Sequence, residues 1–177
     1  LPVIGTDEAL AAVRSLLKGQ DVPLRKDAIR TLSKWPNGTP LEDLLGIARN
    51  ESDSVQQILA LRGYIQLLSV PTNRSAVKTV DCLREALAVA KRTDEKQLIL
   101  AALSKYPCEE ALSLAEDLQK DSALSQEAGI AITKLKQLLL NQNKKATASR
   151  GNNEAHLAID GKIGTRWSTG GGMRPGD

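Results

Sequence analysis

Prolines recur at a fixed interval along the first two-thirds of the chain. Pro36, Pro71 and Pro107 lie 35 and 36 residues apart, and each ends a similar phrase: Leu-Ser-Lys-Trp-Pro, Leu-Leu-Ser-Val-Pro and Leu-Ser-Lys-Tyr-Pro. Because proline cannot continue a helix and the residue before it avoids the α region, each phrase predicts the end of one helix and a turn into the next. The period then accommodates two helices and two turns, which is typical of a helical repeat.

Apolar residues recur at helical spacing on both sides of each proline, which predicts a pair of helices in every repeat. The faces are Leu24, Ala28, Ile29, Leu32 and Trp35 with Leu41, Leu44, Leu45 and Ala48; Val55, Ile58, Leu59, Leu61, Ile65 and Leu68 with Val77, Val80, Leu83, Ala86, Leu87 and Ala90; and Leu98, Ile99, Ala102 and Leu103 with Ala111, Leu112, Leu114, Ala115 and Leu118. Further helices over about 6–18 and 122–141 complete an all-α region of seven to eight helices. The near absence of aromatic residues suits closely packed helices with small and medium side chains.

Capping signals indicate where some of these helices begin. Thr39-Pro40-Leu41-Glu42 has the form of a capping box, so we expect Thr39 and Glu42 to satisfy free N–H groups at the start of the first pair's second helix. Residues 54–57 and 94–97 are expected to play the same part for later helices.

The pattern resembles HEAT and HEAT-like armadillo repeats over about residues 1–143. This resemblance implies a right-handed α-α superhelix, a solenoid in which each helix pair buries its apolar face by stacking on its neighbours. Tetratricopeptide repeats are close in length, but here the prolines follow the first helix of each pair and the small-residue signature of that family is not evident. HEAT-like solenoids mostly bind other proteins, so the resemblance implies a protein partner along the solenoid.

Charge and reactive residues restrict the function classes. The net charge is only +3 and both signs are mixed along the chain, so no nucleic-acid partner is expected. No apolar run reaches the roughly 18 residues of a membrane span. The repeats contain no histidine and no Ser/His/Asp or Cys/His set, so we expect neither catalytic residues nor a cofactor. Some HEAT-like folds act on DNA bases, so an enzyme of that kind is a further possibility, for which the repeats offer few of the required residues. A nucleic-acid-binding HEAT-like protein stays open as a third alternative.

Several residues in the repeats have both a functional and a structural interpretation. Trp35 and Tyr106 occupy equivalent positions, where they form either an aromatic ledge for a partner or, as we favour, a seal at the turn between helices. Cys82 and Cys108 are interpreted as two partly buried thiols, with a single disulfide left open. A basic face is interpreted as a solvated surface; it comprises Arg25, Lys26, Arg30 and Lys34.

After Lys145 the helical pattern gives way to Gly, Asn, Ser and Thr. Residues 146–149, the Ala158-Ile159-Asp160-Gly161 turn and Thr165-Arg166-Trp167 resemble the opening of a discoidin domain, also called coagulation-factor-type C, a galactose-binding-like β-sandwich. The resemblance implies that 144–177 is the N-terminal fragment of a carbohydrate-binding module. Its sugar-contacting loops would lie beyond Asp177, and the complete module would take a glycan partner.

In bacterial relatives of that family the same turn commonly holds a structural calcium ion. Carried over by position, Asp160 and Thr165 would supply side-chain ligands, and Leu157 and Lys162 backbone carbonyls. The family's closing acidic ligand is absent from these residues, and Ca²⁺ needs about six to eight oxygens, so the resemblance implies an incomplete site.

Taken together, the two resemblances predict a monomeric, non-catalytic scaffold or protein-interaction solenoid. It would belong to a larger secreted, periplasmic or cell-surface bacterial protein that binds or processes glycans, with any glycoside-processing domain outside these residues. The alternative is a cytoplasmic HEAT-like adaptor whose discoidin-like tail is fortuitous.

Overall fold

Helices account for all regular structure in the part of the chain that the structure describes. The computed structural model describes residues 5–142, which contain eight α-helices and no β-strand. They are α1 Asp7–Leu17, α2 Val22–Ser33, α3 Leu41–Asn50, α4 Ser54–Leu68, α5 Ala76–Val89, α6 Thr93–Leu103, α7 Glu109–Leu118 and α8 Ser125–Gln142. Pro36, Pro71 and Pro107 follow α2, α4 and α6. The all-α fold and the helix number predicted from the sequence are confirmed for these residues.

The helices lie in two rows. Helices α2, α4, α6 and α8 contact one another in that order and form the even row, while α3, α5 and α7 do the same and form the odd row. Successive helices also contact each other, so every helix pair packs on the pair before it and the pair after it. Helix α1 packs on α2 at the N-terminal end.

Equivalent leucines form the centre of this packing. Leu32, Leu67 and Leu103 occupy the same position of the three repeats, four residues before the proline, and each is completely buried. Burying a leucine side chain contributes about 1.5–3 kcal/mol relative to leaving it in water. Each repeat therefore contributes one large buried apolar side chain, in α2, α4 or α6, at the same distance from its proline.

Four helices begin with a side-chain cap. Thr6, Asp21, Asp53 and Ser75 each accept a hydrogen bond from a backbone N–H in the first turn of α1, α2, α4 and α5. These bonds satisfy donors that have no partner within the helix. Our expectation that Ser54 caps α4 is wrong by one residue, because Asp53 accepts from the N–H groups of both Val55 and Gln56.

The capping box expected at Thr39 does not form. Helix α3 begins at Leu41, directly after Pro40, and no side chain caps it. Asn37 Oδ1 instead accepts both the N–H of Thr39, at 3.0 Å, and its hydroxyl, at 2.5 Å. Thr39 thus belongs to a turn on Asn37, and Pro40, one residue later than expected, occupies the N-cap position, so the box is absent.

Helix α6 is capped from inside its first turn. The N-cap residue is Arg92, whose side chain has no hydrogen-bond acceptor, and not Asp94 as expected. The buried Glu95 carboxylate reaches back and accepts from the N–H groups of Lys91, at 3.0 Å, and Arg92, at 3.2 Å. Only the Glu half of a capping box is therefore present.

Some residues of the expected apolar faces remain at the surface. They lie within the first two turns of their helices: Leu24, Val55, Val77 and Leu98, which are 38–48% exposed. In α2, burial begins one turn later, at Ala28. On these helices the apolar stripe therefore extends beyond the surface that neighbouring helices bury.

Candidate binding surface

Ion pairs between helices tie the odd-numbered helices together. Arg14 of α1 donates hydrogen bonds from Nε and Nη2 to the carboxylate of Asp43 in α3, with a closest approach of 2.7 Å. Arg49 of α3 pairs with Glu85 of α5 at 3.0 Å. The hydrogen bond that Arg14 donates to the Asp43 carboxylate raises the pKa of Arg14 above its ordinary value. These four charged side chains of α1, α3 and α5 therefore neutralise one another in pairs.

Clefts open between neighbouring helices of the even row. The larger has a volume of about 820 Å³ and lies between α4 and α6; we call it the α4–α6 cleft. A second, of about 330 Å³, lies between α6 and α8. Gln97 and Ala101 line both, so the two clefts flank a single ridge on α6. The larger volume falls within the range of about 300–1,000 Å³ that is usual for ligand sites.

The α4–α6 cleft has an apolar floor and a charged rim. Ile65 and Ala102 are buried at its base, and Leu98 is 41% exposed to it. Arg62 of α4 and Lys105, just past the end of α6, stand on its rim. The lining thus combines an exposed aliphatic side chain with two cations.

Unlike Arg14 and Arg49 of the odd-numbered helices, these two cations have no carboxylate partner in the part of the chain that the structure describes. Within residues 5–142, neither Arg62 nor Lys105 forms an ion pair, and the same holds for Lys134 in the neighbouring cleft. The carboxylates nearby are already engaged: Asp94 pairs with Arg92, and Glu127 accepts from Gln97 Nε2 at 2.7 Å. The even row therefore presents a local excess of positive charge.

Equivalent positions of the first and third repeats make equivalent polar contacts. Arg25 of α2 pairs with Glu51, just after α3, and Lys96 of α6 pairs with Asp121, after α7, at 3.5 Å. In both cases a cation of an even-row helix anchors the turn that follows the next odd-row helix. The middle repeat has Ala60 at this position, so the contact is absent there.

Both aromatic residues of the predicted ledge have structural contacts. Trp35 is only 2% exposed and belongs to the hydrophobic core. Tyr106 is half-buried, and its hydroxyl donates to the carbonyl oxygen of Leu68 at 3.0 Å. Since Leu68 is the last residue of α4, this bond satisfies a helix-end acceptor. The indole and the phenol are placed as the packing interpretation expects.

The basic face of α2 is largely neutralised. Arg25 pairs with Glu51, Lys26 with Asp53 at 3.7 Å, and Arg30 with Asp27 at 2.8 Å. Lys34 is exposed beyond the end of the helix. This agrees with a solvated surface whose charges are mostly balanced.

The two cysteines are separate free thiols. Cys82 lies in α5, and Cys108 immediately precedes α7; both are half-buried and no disulfide joins them. Burial raises the pKa of the Cys108 thiol. A raised pKa lowers the thiolate fraction and with it the nucleophilicity of Cys108.

Residues 5–142 contain neither a metal-ligand group nor a membrane-spanning helix. No set of three or more His, Cys, Asp or Glu side chains within that range is placed to hold a metal ion. No helix there is both long and apolar enough to cross a bilayer. The predicted calcium ligands Asp160, Thr165, Leu157 and Lys162 lie outside the described residues, as does the discoidin-like segment 144–177.

Sequence reasoning did not single out Arg62 or Lys105, and it assigned Leu98 only to an apolar helix face. Their signal is visible only when the repeats are superposed: Arg62 and Leu98 hold the same position in successive repeats, and so do Ser69 and Lys105. Residues at equivalent positions of stacked helices face the same side, which brings these four together at one cleft.

In comparisons with known proteins, no family model, curated protein or solved structure significantly matches the chain.

Proposed function

We propose that this chain is a non-catalytic protein-interaction scaffold, a HEAT-like α-solenoid that binds a partner on its even row. The observation that carries the proposal is the α4–α6 cleft, where the exposed Leu98 lies over an apolar floor beside two cations that have no carboxylate partner within residues 5–142. Protein interfaces combine such an apolar centre with a polar rim.

Exposed aliphatic side chains in adjacent clefts support a protein as the partner. Leu98 is 41% exposed, and Ile130 of α8, in the neighbouring cleft, is 64% exposed. Single apolar residues at the surface are ordinary, but two in adjoining concave sites offer a partner a place to bury side chains. A partner that covers both clefts would remove these side chains from water.

Three features support the HEAT-like type of repeat. Helices next but one in sequence pack together from α2 to α8, and prolines follow α2, α4 and α6. Equivalent leucines recur in all three repeats, and an equivalent ion pair recurs in the first and third. Stacking of this kind gives a quasi-one-dimensional array in which each unit is stabilised by its neighbours. The right-handed superhelix is part of the proposal.

The glycan context of the proposal rests on the sequence of 144–177. Its resemblance to the start of a discoidin domain supports a secreted or cell-surface parent protein in which the scaffold stands beside a carbohydrate-binding module. The gene sequence past Asp177 tests this point. Codons for the remaining strands of the sandwich would support it, and a stop codon at that place would overturn it.

Selection from a random peptide library tests the protein-binding proposal directly. The immobilised 177-residue chain is screened against phage-displayed 12-residue peptides, and enriched sequences are resynthesised and measured by fluorescence anisotropy. We expect peptide families that bind with Kd values of about 1–100 µM. Failure to enrich any family, with binding instead to a labelled DNA duplex or to a glycan array, would contradict the proposal.

A further inference from the structure

We infer that the α4–α6 cleft takes an acidic peptide segment that carries a bulky apolar side chain. The inference rests on the proposed function and specifies the partner's chemistry at that site. The juxtaposition of the exposed Leu98 with Arg62 and Lys105 carries it.

Charge complementarity identifies the acidic character. Arg62 and Lys105 stand on the rim of the cleft and lack a carboxylate partner within residues 5–142, whereas Arg14 and Arg49 are paired. Lys18 and Lys78 are also without an ion pair in that range, but they do not line the cleft. Carboxylates on a bound segment would supply the missing partners. Such pairs at the edge of an interface mainly set specificity and association rate.

The floor of the cleft identifies the apolar anchor. Leu98 and Ala101 are exposed over the buried Ile65 and Ala102, so an aliphatic or aromatic side chain inserted there would be enclosed by carbon atoms. A single buried anchor surrounded by polar contacts is the usual arrangement of a binding hot spot.

The dimensions of the cleft limit the length of the segment. Its α6 wall runs from Asp94 to Lys105, which spans about 16 Å at the helical rise of 1.5 Å per residue. An extended chain advances about 3.3 Å per residue, so about five residues of the partner occupy the cleft.

Two other possible occupants of the cleft, the chain's own C-terminal residues and a nucleic acid, fit its lining less well. Residues 143–177 of the same chain contain six Lys and Arg against three Asp and Glu, so their net charge has the sign of the rim. Asp94 on the rim is paired with Arg92 and does not distinguish one anionic occupant from another, but no aromatic side chain lines the cleft for the bases of a nucleic acid to stack on. An acidic peptide satisfies both the charge and the floor.

The composition of selected peptides gives the first test. Among 12-residue peptides enriched on the wild-type chain, we expect an excess of Asp and Glu around one Leu, Ile, Phe or Trp. Enriched families with no acidic excess would overturn this inference and leave protein binding intact. No enrichment of any family would remove the proposed function as well.

Charge reversal gives the second test. The double substitution Arg62→Glu and Lys105→Glu should weaken an enriched peptide at least tenfold at low salt. The matched control, Lys18→Glu with Lys78→Glu, makes the same change in net charge at exposed lysines that do not line the cleft, and it should leave the affinity within twofold. Equal weakening by both variants, or by neither, would overturn the inference.

Two other occupants appear as distinct outcomes of the same measurements. If a labelled single-stranded DNA binds the wild-type chain more tightly than the peptides and loses binding on the cleft reversal, the occupant is nucleic acid and the inference fails. If sedimentation shows a dimer that the cleft reversal dissociates, the occupant is a second copy, and the inference fails likewise.

Discussion

Gly63 of α4 lies so close to Ser33 of α2 that no side chain fits between them. A Cβ atom at Gly63 would come within 2.7 Å of Ser33 Cβ and also collide with Ser33 Oγ. The hydroxyl cannot easily yield, because it donates to the carbonyl oxygen of Ile29 at 2.8 Å. The closest approach of these two even-row helices therefore depends on glycine at this position.

Replacing Gly63 and Gly46, which both lie within helices, by alanine should have opposite effects. Gly46 in α3 has nothing within 4 Å of its Cβ position, so Gly46→Ala should raise the free energy of unfolding by about 0.5–1 kcal/mol through helix propensity. Gly63→Ala should lower it by about 1 kcal/mol, since overpacking outweighs that gain. Urea denaturation measures both, and a Gly63→Ala variant more stable than wild type would contradict the contact.

A double substitution isolates this contact. Ser33→Gly removes the Cβ and hydroxyl that oppose Gly63, so Gly63→Ala should cost less stability in that background than in the wild type. A double-mutant cycle measures the difference as a coupling free energy. Additive effects would mean that the two residues do not interact.

Tyr106→Phe should lower stability without affecting partner binding. The change removes the hydrogen bond from the Tyr106 hydroxyl to the Leu68 carbonyl, and such bonds contribute about 0.5–1.5 kcal/mol. Arg74 Nη1 also approaches this carbonyl, at 3.5 Å, which keeps the expected loss near the lower end. Thermal unfolding checks the stability, while an unchanged peptide affinity separates this structural role from a ledge for a partner.

Glu95, and not Asp94, should matter for the start of α6. Glu95→Ala deletes the carboxylate that accepts two backbone N–H groups, so we expect a loss of about 1.5–3 kcal/mol, the range for hydrogen bonds to charged groups. Asp94→Ala alters an exposed side chain that caps nothing and should change stability by less than about 0.5 kcal/mol. Comparable losses for the two variants would show that the cap is assigned to the wrong residue.

Acid should remove the contribution of the Asp53 cap. Hydrogen bonds from the Gln56 side chain and then from the Val55 N–H hold the pKa of Asp53 below its ordinary value. A carboxyl group whose pKa is lowered on folding stabilises the fold above its unfolded pKa of about 3.9, and the contribution is lost as the pH falls through the lower, folded value. The difference in melting temperature between wild type and Asp53→Asn should therefore be constant from pH 5 to 8 and shrink below about pH 4. A difference that stays constant in acid would exclude this role.

The helices could be predicted from the sequence because their signals are local. The spacing of Pro36, Pro71 and Pro107 and the apolar periodicity determine where helices run, whichever way they pack. Capping was less predictable. The signature at Thr39 was correct in form, but Thr39 belongs to a turn on Asn37 and Pro40 occupies the N-cap position, and a four-residue motif does not record the turn before it.

The cleft could not be predicted from local signals. Arg62 and Lys105 are 43 positions apart, and each alone is an ordinary surface cation. Only the packing of α4 against α6 brings them to one rim and leaves Leu98 exposed between the helices. The requirement for Gly63 is similar, because it depends on the distance between two helices and not on either helix alone.

The position of a bound peptide on the chain shows directly whether the partner occupies the α4–α6 cleft. An enriched peptide that carries a benzophenone group is photo-cross-linked to the 177-residue chain, and the attachment sites are located by proteolysis and mass spectrometry. We expect cross-links at residues 62–69, in the second half of α4 and just after it, and at residues 94–105, in α6 and just after it. Cross-links concentrated on α3, α5 and α7 would place the partner on the odd row and contradict this expectation.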